Sequence, residues 1–523
     1  MERPTAPSRG TTTSDLDLSA TLRTERDGPA FDDRGTRPRL RGSGAISRTL
    51  AVRPGPSGER RPDHMDTSKS SASAQPARRG PQPDDRTPKQ SPLNSALSTP
   101  LLYFFILGDV LGAGVYVLVG QIVAASGGAV WVPLSVALCL AMLTAGSYAE
   151  LATKYPRAGG ASHYTTRAYG PFAGFLAGYC MLAAGIVSVA ALARGFAGDY
   201  LTAFVSLPVA AVVIVFLAAL ALLNARGIKE STRANVVATV IEVGGLLIVV
   251  VLGAWIVLRG DGHVDALTDL GTPQKGAAAA VLSGAVLAYY SFVGFETSVN
   301  VAEETRDPVR SYPRALFGAL GTAGLVYVLV GLAATAAVPA TVLADSSGPL
   351  LEVVKAAGGV PERLFSAIAL VAVANGALLT GIMSSRLAFG MARDGLLPRQ
   401  LATVLPQRRT PWVAIAVTTA LSLLLALTGD VATLASTLVL LLLVVFFMVN
   451  TAALVLRKDP VDREYFRIPV VVPVLGAASC VLLATRVEGE VWKRGLLVLA
   501  VGVVPALVAA RRHRRDDRGA QPD

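Results

Sequence analysis

Two places in this chain put permissive and polar residues where an apolar run would be expected to continue unbroken. Gly112-Ala113-Gly114 lies inside the run 101–125, and Ser291-Phe292-Val293-Gly294-Phe295-Glu296 inside the run 277–301. A hydrocarbon layer offers no water to loose peptide groups, so such a break is tolerated only where the backbone is buried or lines a cavity. Each break bares N–H groups at the start of the following half-helix and C=O groups at the end of the preceding one. The N–H end carries partial positive charge and suits a carboxylate, while the C=O end suits an ammonium. Two such breaks together fit a zwitterion with both groups on one carbon, which is an α-amino acid. The candidate binding residues are therefore Gly112, Ala113, Gly114 and Val115 on one side, and Tyr290, Ser291, Phe292, Val293 and Gly294 on the other. Glycine lets a ligand approach the backbone closely. Gly108, Gly112 and Gly120 would equally serve close helix packing. A matching break in a second run favours the ligand site.

Charges inside apolar runs are few, which makes each a functional candidate. Asp109 lies one turn before the first break, Glu296 lies at the second, and Glu242 sits within the run 235–258. Arg194 and Asp199 fall near the end of a run and read as snorkelling or paired. Glu150, also at the end of a run, reads as solvated. No nucleophile–base spacing, phosphate loop or metal-ligand set is visible, which argues against an enzyme. His64, His163, His263 and His513 read as solvated. The cysteines, Cys139, Cys180 and Cys480, sit in apolar runs without disulfide or metal spacing.

The elements that must position these groups are long apolar helices. Of 523 residues, 52% are hydrophobic and 16% charged, with a mean hydropathy of +0.50. Repeated runs near the length that crosses a bilayer mean a polytopic, all-α membrane protein. Twelve spans are expected at 101–125, 129–151, 171–198, 207–223, 235–258, 277–301, 314–338, 363–385, 411–428, 431–455, 469–485 and 492–510. The net charge of +11 lies in tails and short loops, which excludes a nucleic-acid-binding face. Lys154, Arg157 and Arg167, then Arg226 and Lys229, then Arg306 and Arg310 follow even-numbered spans. The same holds for Arg386, Arg393 and Arg399 and for Arg457 and Lys458, so both termini are expected in the cytoplasm. Arginine outnumbers lysine about fivefold, a bias that suits a bacterial source. The first and sixth spans then open two five-helix units, 101–258 and 277–455, inverted with respect to each other, with 469–510 as additional helices. Residues 1–96 are polar and rich in Arg, Pro and Ser, the composition of a disordered tail, and 511–523 form a second tail. Both tails read as cytoplasmic.

Four motifs resemble one family. Gly108-Asp109-Val110-Leu111-Gly112-Ala113-Gly114-Val115-Tyr116 is similar to the first helix of the amino acid–polyamine–organocation superfamily, near its cationic amino acid transporter branch. Tyr290 to Glu296, followed by Glu303-Glu304-Thr305-Arg306-Asp307-Pro308, resembles that family's sixth helix and the following loop. Tyr155-Pro156-Arg157-Ala158-Gly159-Gly160 and the stretch from Ser385 to Gly395 resemble two of its cytoplasmic loops. The resemblance covers 97–510 and implies a LeuT-type fold working by alternating access in the plasma membrane. It implies that the Gly112–Gly114 backbone holds the substrate carboxylate and the carbonyls around Tyr290–Val293 its amino group. It also places Tyr290 as an aromatic gate. Many proton-coupled relatives carry a lysine where this chain has Glu242, after a stretch like Glu230-Ser231-Thr232-Arg233. The cationic branch usually has a small polar residue at the position of Asp109. The expectation is that Asp109 and Glu242 pair across the cavity and share a proton. Na⁺, held with Thr380 or Ser384, is the alternative, and so is direct pairing of Asp109 with a substrate cation. The pocket wall is expected from the third, sixth, eighth and tenth spans, with Ser188 and Asn375 as polar candidates. The expected function is amino acid permeation with H⁺ as coupling ion and no other cofactor. A polyamine or ethanolamine permease and a non-transporting amino acid sensor are the alternatives, and the oligomeric state is left open.

Overall fold

A computed structural model describes residues 98–519, except 113, 157–158, 227–231, 407 and 409. The tail at 1–96, Ala113 and the Glu230-Ser231 stretch thus lie outside the described residues, as do Arg157 and Ala158. The described chain is helical. Its first stretch comprises α1 (Thr99–Val110), α2 (Gly114–Ser126), α3 (Trp131–Lys154), α4 (Gly160–Tyr169), α5 (Pro171–Phe196), α6 (Asp199–Thr202), α7 (Val209–Arg226) and α8 (Thr232–Leu258). Then come α9 (Ala277–Tyr290), α10 (Pro308–Ala337), α11 (Ala340–Asp345), α12 (Pro349–Ala357), α13 (Glu362–Arg393), α14 (Trp412–Thr428), α15 (Val431–Val455), α16 (Val471–Ala484) and α17 (Gly489–Gly519). A 3₁₀ segment, Phe295–Glu304, continues α9 beyond the second break.

Among the described residues, eight helices are long and apolar enough to cross a membrane, and up to ten if each of two bent pairs is one span. This differs from the twelve expected runs at two points. α14 has 17 residues, just short of a confident crossing, and α16 with α17 forms a pair bent by 114° rather than two separate long rods. The other bent pair is α1 with α2, at 46°. The sequence also gave no sign of α4, α11 and α12, short helices with one buried face. Proline opens α5, α10 and α12, where its missing N–H costs nothing. Asp430 caps α15 by accepting the Thr433 N–H at 2.8 Å. Val215 and Leu222 of α7 and Val251 and Trp255 of α8 stay exposed, a face suited to lipid rather than water.

The helices pack in a pattern that sets the site. α1 lies on α10, and α9 lies on α3. α8 lies on α10, and α15 on α3. α5 lies on α15 and on α14, while α13 lies on α8 and on α7. α5 also meets α13 directly, and α2 meets α9. The two breaks are thereby brought face to face at the centre.

Candidate functional site: a cavity between two broken helices

The first break begins where Leu111 N–H closes on the Leu107 carbonyl at 2.7 Å, and α2 restarts at Gly114. The second break is tighter than a plain unwinding. Phe292 N–H bonds Tyr289 O and Val293 N–H bonds Tyr290 O, both at 3.1 Å, so the chain turns rather than opens. Gly294 then takes φ +130°, a conformation that side-chain-bearing residues rarely adopt. The 3₁₀ segment follows.

Each break is cut to fit the other. A Cβ on Gly114 would stand 3.0 Å from Ser291 Cα and 3.2 Å from the Tyr290 ring. A Cβ on Gly294 would stand 2.6 Å from the Asp109 carbonyl oxygen. The backbones therefore cross at contact distance only because both positions lack side chains. The Thr297 hydroxyl adds a polar tie. It hydrogen-bonds the Asp109 carboxylate and also reaches Gly294 O at 2.8 Å. Gly294 N–H donates to Glu296 Oε2 at 2.9 Å.

Beside this crossing lies a cavity of about 400 Å³. Of the residues expected to form the site, Asp109, Gly112, Gly114, Tyr290, Ser291, Val293, Gly294 and Glu296 line it together. Val115, Phe292 and Glu242 do not. Val115 and Phe292 are fully buried, and Phe292 packs edge-on against Tyr327 at 5.4 Å. Glu242 is fully buried in α8, where its Oε1 accepts from Asn375 Nδ2 at 3.1 Å. The expected pairing of Asp109 with Glu242 across the cavity is replaced by two separate sites: Asp109 faces Thr297, and Glu242 faces α13. Asn375 belongs with Glu242, whereas Ser188 lines the cavity and shares a 3.1 Å hydrogen bond with the Tyr290 hydroxyl.

Gly159, Gly160 and Ser162, with Asn300 and Arg386, also line the cavity. Outside the lining, Gly120 of α2 leaves no room for a Cβ against the Leu343 carbonyl of α11, and the Tyr200 hydroxyl donates to Tyr116 O at 2.7 Å. Asp459 accepts from Arg167 Nε at 2.7 Å and from the Tyr155 hydroxyl at 2.6 Å. The Arg167 guanidinium, then Tyr155, hold the Asp459 carboxyl below its ordinary range. Sequence reasoning missed this cluster, and it missed Glu150. Far from solvated, Glu150 is 1% exposed, because Arg457 and the Ile468 N–H satisfy its carboxylate. His163 is also not fully solvated; its ring lies 6.0 Å from that of Tyr164.

A cavity between two crossed breaks, lined by carboxylates and peptide groups, has the chemistry to receive a small polar solute, and no nucleophile–base pair lines it among the described residues. Comparison with known proteins agrees. The family model "Amino acid permease" matches residues 97–500. An uncharacterized transporter of Mycobacterium tuberculosis is 34% identical over 79% of this chain and 91% of its own length. The methylthioribose transporter of Bacillus subtilis is 27% identical over 81% and 95%. The vacuolar cationic amino acid transporter 4 of Arabidopsis thaliana is 30% identical over 68% and 62%. The chain therefore belongs to the amino acid permease family, and it is a multi-pass membrane transporter rather than an enzyme.

Proposed function

We propose that this permease is a proton-coupled transporter of the plasma membrane, built as twelve spans on the LeuT plan, that carries an α-amino acid by alternating access. The packing supports the repeat. With α1–α2 counted as the first span and α15 as the tenth, exchanging every span for the one five places along turns α1·α10 into α9·α3, α8·α10 into α15·α3, and α5·α15 into α13·α8. Major helix contacts that pair up under that exchange are what two inverted five-helix units produce. α14 then counts as the ninth span, and α16 and α17 as the last two. Arg386, which lines the cavity and follows an even-numbered span, marks the cytoplasmic end on the positive-inside rule, and we read the cavity as accessible from that side.

Glu242 carries the coupling. An ionised carboxylate with no exposure inside an apolar helix is costly, and taking up a proton removes that cost. Its Oε2 has no hydrogen-bond partner among the described residues, which leaves a place for that proton. Asp109 and Glu296, on the cavity wall, sit where the substrate ammonium is received.

The test is uptake into liposomes with pH and Na⁺ gradients imposed separately. A pH gradient should drive accumulation and a Na⁺ gradient should not. If Glu242→Gln left pH-driven accumulation intact, the proton-site assignment would be wrong. Amino acid methyl esters should fail to compete, because the start of α2 receives the carboxylate.

A further inference from the structure

The cavity has two chemically different walls. One is the pair of breaks, with Asp109, Glu296 and the peptide ends. The other is apolar: Met181, Ala184 and Leu192 from α5, Met383 from α13, and Leu438 and Leu442 from α15. Two of its three hydroxyls are already engaged, the third being that of Thr380. Ser384 Oγ donates to the Thr380 backbone O at 2.8 Å within its own helix, and Ser188 is bonded to Tyr290. Among the described residues, these three helices contribute no carboxylate to the lining. Their one charged contribution among the described residues is Arg386.

We infer that the transported amino acid has an uncharged, aliphatic side chain, of leucine, isoleucine, valine or methionine type, and that basic amino acids are rejected. The inference rests on the amino acid reading above and goes beyond it in naming the side chain. If the breaks hold the α-ammonium and α-carboxylate, the side chain must lie against the opposite wall. A second ammonium or a guanidinium there would lose its water against methionine and leucine, with no carboxylate from these three helices in the lining to replace it. An aliphatic chain instead gains by leaving water. The two carboxylates do not rescue a basic side chain. Glu296 is 4% exposed and already accepts the Gly294 N–H, Asp109 is bonded to Thr297, and both stand at the ammonium-receiving end. Met181 and Met383 are unbranched and adaptable, so the wall can follow several branching patterns. Recognition should therefore be broad within the aliphatic class.

The experiment is thermal stabilisation of the purified full-length protein by leucine, isoleucine, methionine, lysine and arginine, together with 3-methylbutylamine and cadaverine, the decarboxylated counterparts of leucine and lysine. Ligand binding raises the melting temperature through mass action. Half-maximal stabilisation by the aliphatic amino acids should need at least about tenfold lower concentration than by lysine or arginine. Lysine or arginine acting as well as leucine would overturn the inference. Stabilisation by 3-methylbutylamine equal to that by leucine would remove the carboxylate-binding reading alone. The side-chain inference would then stand if 3-methylbutylamine outperformed cadaverine and fall if cadaverine matched it. Met383→Asp, at a position 38% exposed and tolerant of change, should narrow the gap between leucine and lysine. An unchanged gap in that variant would show that the side chain does not meet this wall.

Discussion

Arg457 grips Glu150 with two arms of its guanidinium, Nε to Oε1 at 3.1 Å and Nη2 to Oε2 at 2.8 Å, although the residues are 307 positions apart. The same Nη2 donates to Ile468 O at 2.6 Å, and Ile468 N–H returns a bond to Glu150 at 3.1 Å. One step along, Lys154 Nζ donates to Leu456 O at 2.6 Å and stands 4.9 Å above the Tyr465 ring. The end of α3 is thus sewn to the end of α15 and to the segment leading into α16. Removing one member of a buried pair leaves an uncompensated charge, a loss of about 3–5 kcal/mol. Arg457→Gln should therefore lower the melting temperature sharply, and Glu150→Gln in the same chain should recover part of the loss. Equal melting of Arg457→Gln and the parent protein would mean that the pair contributes nothing to holding these ends together.

What the sequence could and could not disclose follows from the physics of each residue. The breaks were legible because a bilayer forbids bare peptide groups, so Gly112 and Gly294 stand out against their neighbours. The extent of α15, 431–455, was legible for the same reason: its apolar run has the length of a crossing. Partners were not legible. Glu150 looked solvated because it ends an apolar run, and nothing local reveals an arginine so far along the chain. The rotation of a broken helix is equally hidden: Val115 adjoins Gly114 and Phe292 lies two residues before Gly294, yet both are fully buried and neither lines the cavity. Asp109 and Glu242 were expected as a pair on helix neighbourhood alone. α1 and α8 do touch, but side-chain direction sends Asp109 to Thr297 and Glu242 to Asn375.

Gly294→Ala should abolish transport while the protein still reaches the membrane. The new methyl would need to lie 2.6 Å from the Asp109 carbonyl, and its residue would need φ +130°. Both demands push the second break away from the first by fractions of an ångström, enough to disturb a site made of peptide ends. Strain of this kind costs about 1–3 kcal/mol, which a large apolar bundle can absorb. Surface expression with uptake reduced at least about tenfold is the expected result. Normal uptake would show that the crossing of the breaks is not needed.

The Thr297 hydroxyl and Asp109 should be energetically coupled in substrate binding. Thr297→Val removes the hydroxyl and keeps the shape, and Asp109→Asn removes the charge. If the hydroxyl orients the carboxylate towards the solute, the double variant should lose less than the sum of the two single losses, with a coupling of about 0.5–3 kcal/mol. Binding measured by thermal stabilisation with leucine on all four proteins gives the cycle. Strict additivity would mean that Thr297 acts on Gly294 alone.

The cluster of Arg167, Tyr155 and Asp459 gives a pH prediction with a definite sign. The Arg167 hydrogen bond, followed by that of Tyr155, lowers the Asp459 pKa below its ordinary 3.8. A carboxyl depressed in the folded state contributes stability that is fully present above its unfolded value and is lost as pH falls through the folded value. The contribution should therefore be constant from pH 8 down to about 5 and should vanish only in acid below about 4. Asp459 is 29% and Arg167 41% exposed, so solvent screens the pair and its worth stays under about 1 kcal/mol. The difference in melting temperature between the parent and Asp459→Asn should be small and flat across neutral pH. It should shrink in 1 M salt, where the Debye length is about 3 Å, and it should close in acid. A difference that instead changed between pH 6 and 7 would show that a group other than Asp459 sets the cluster.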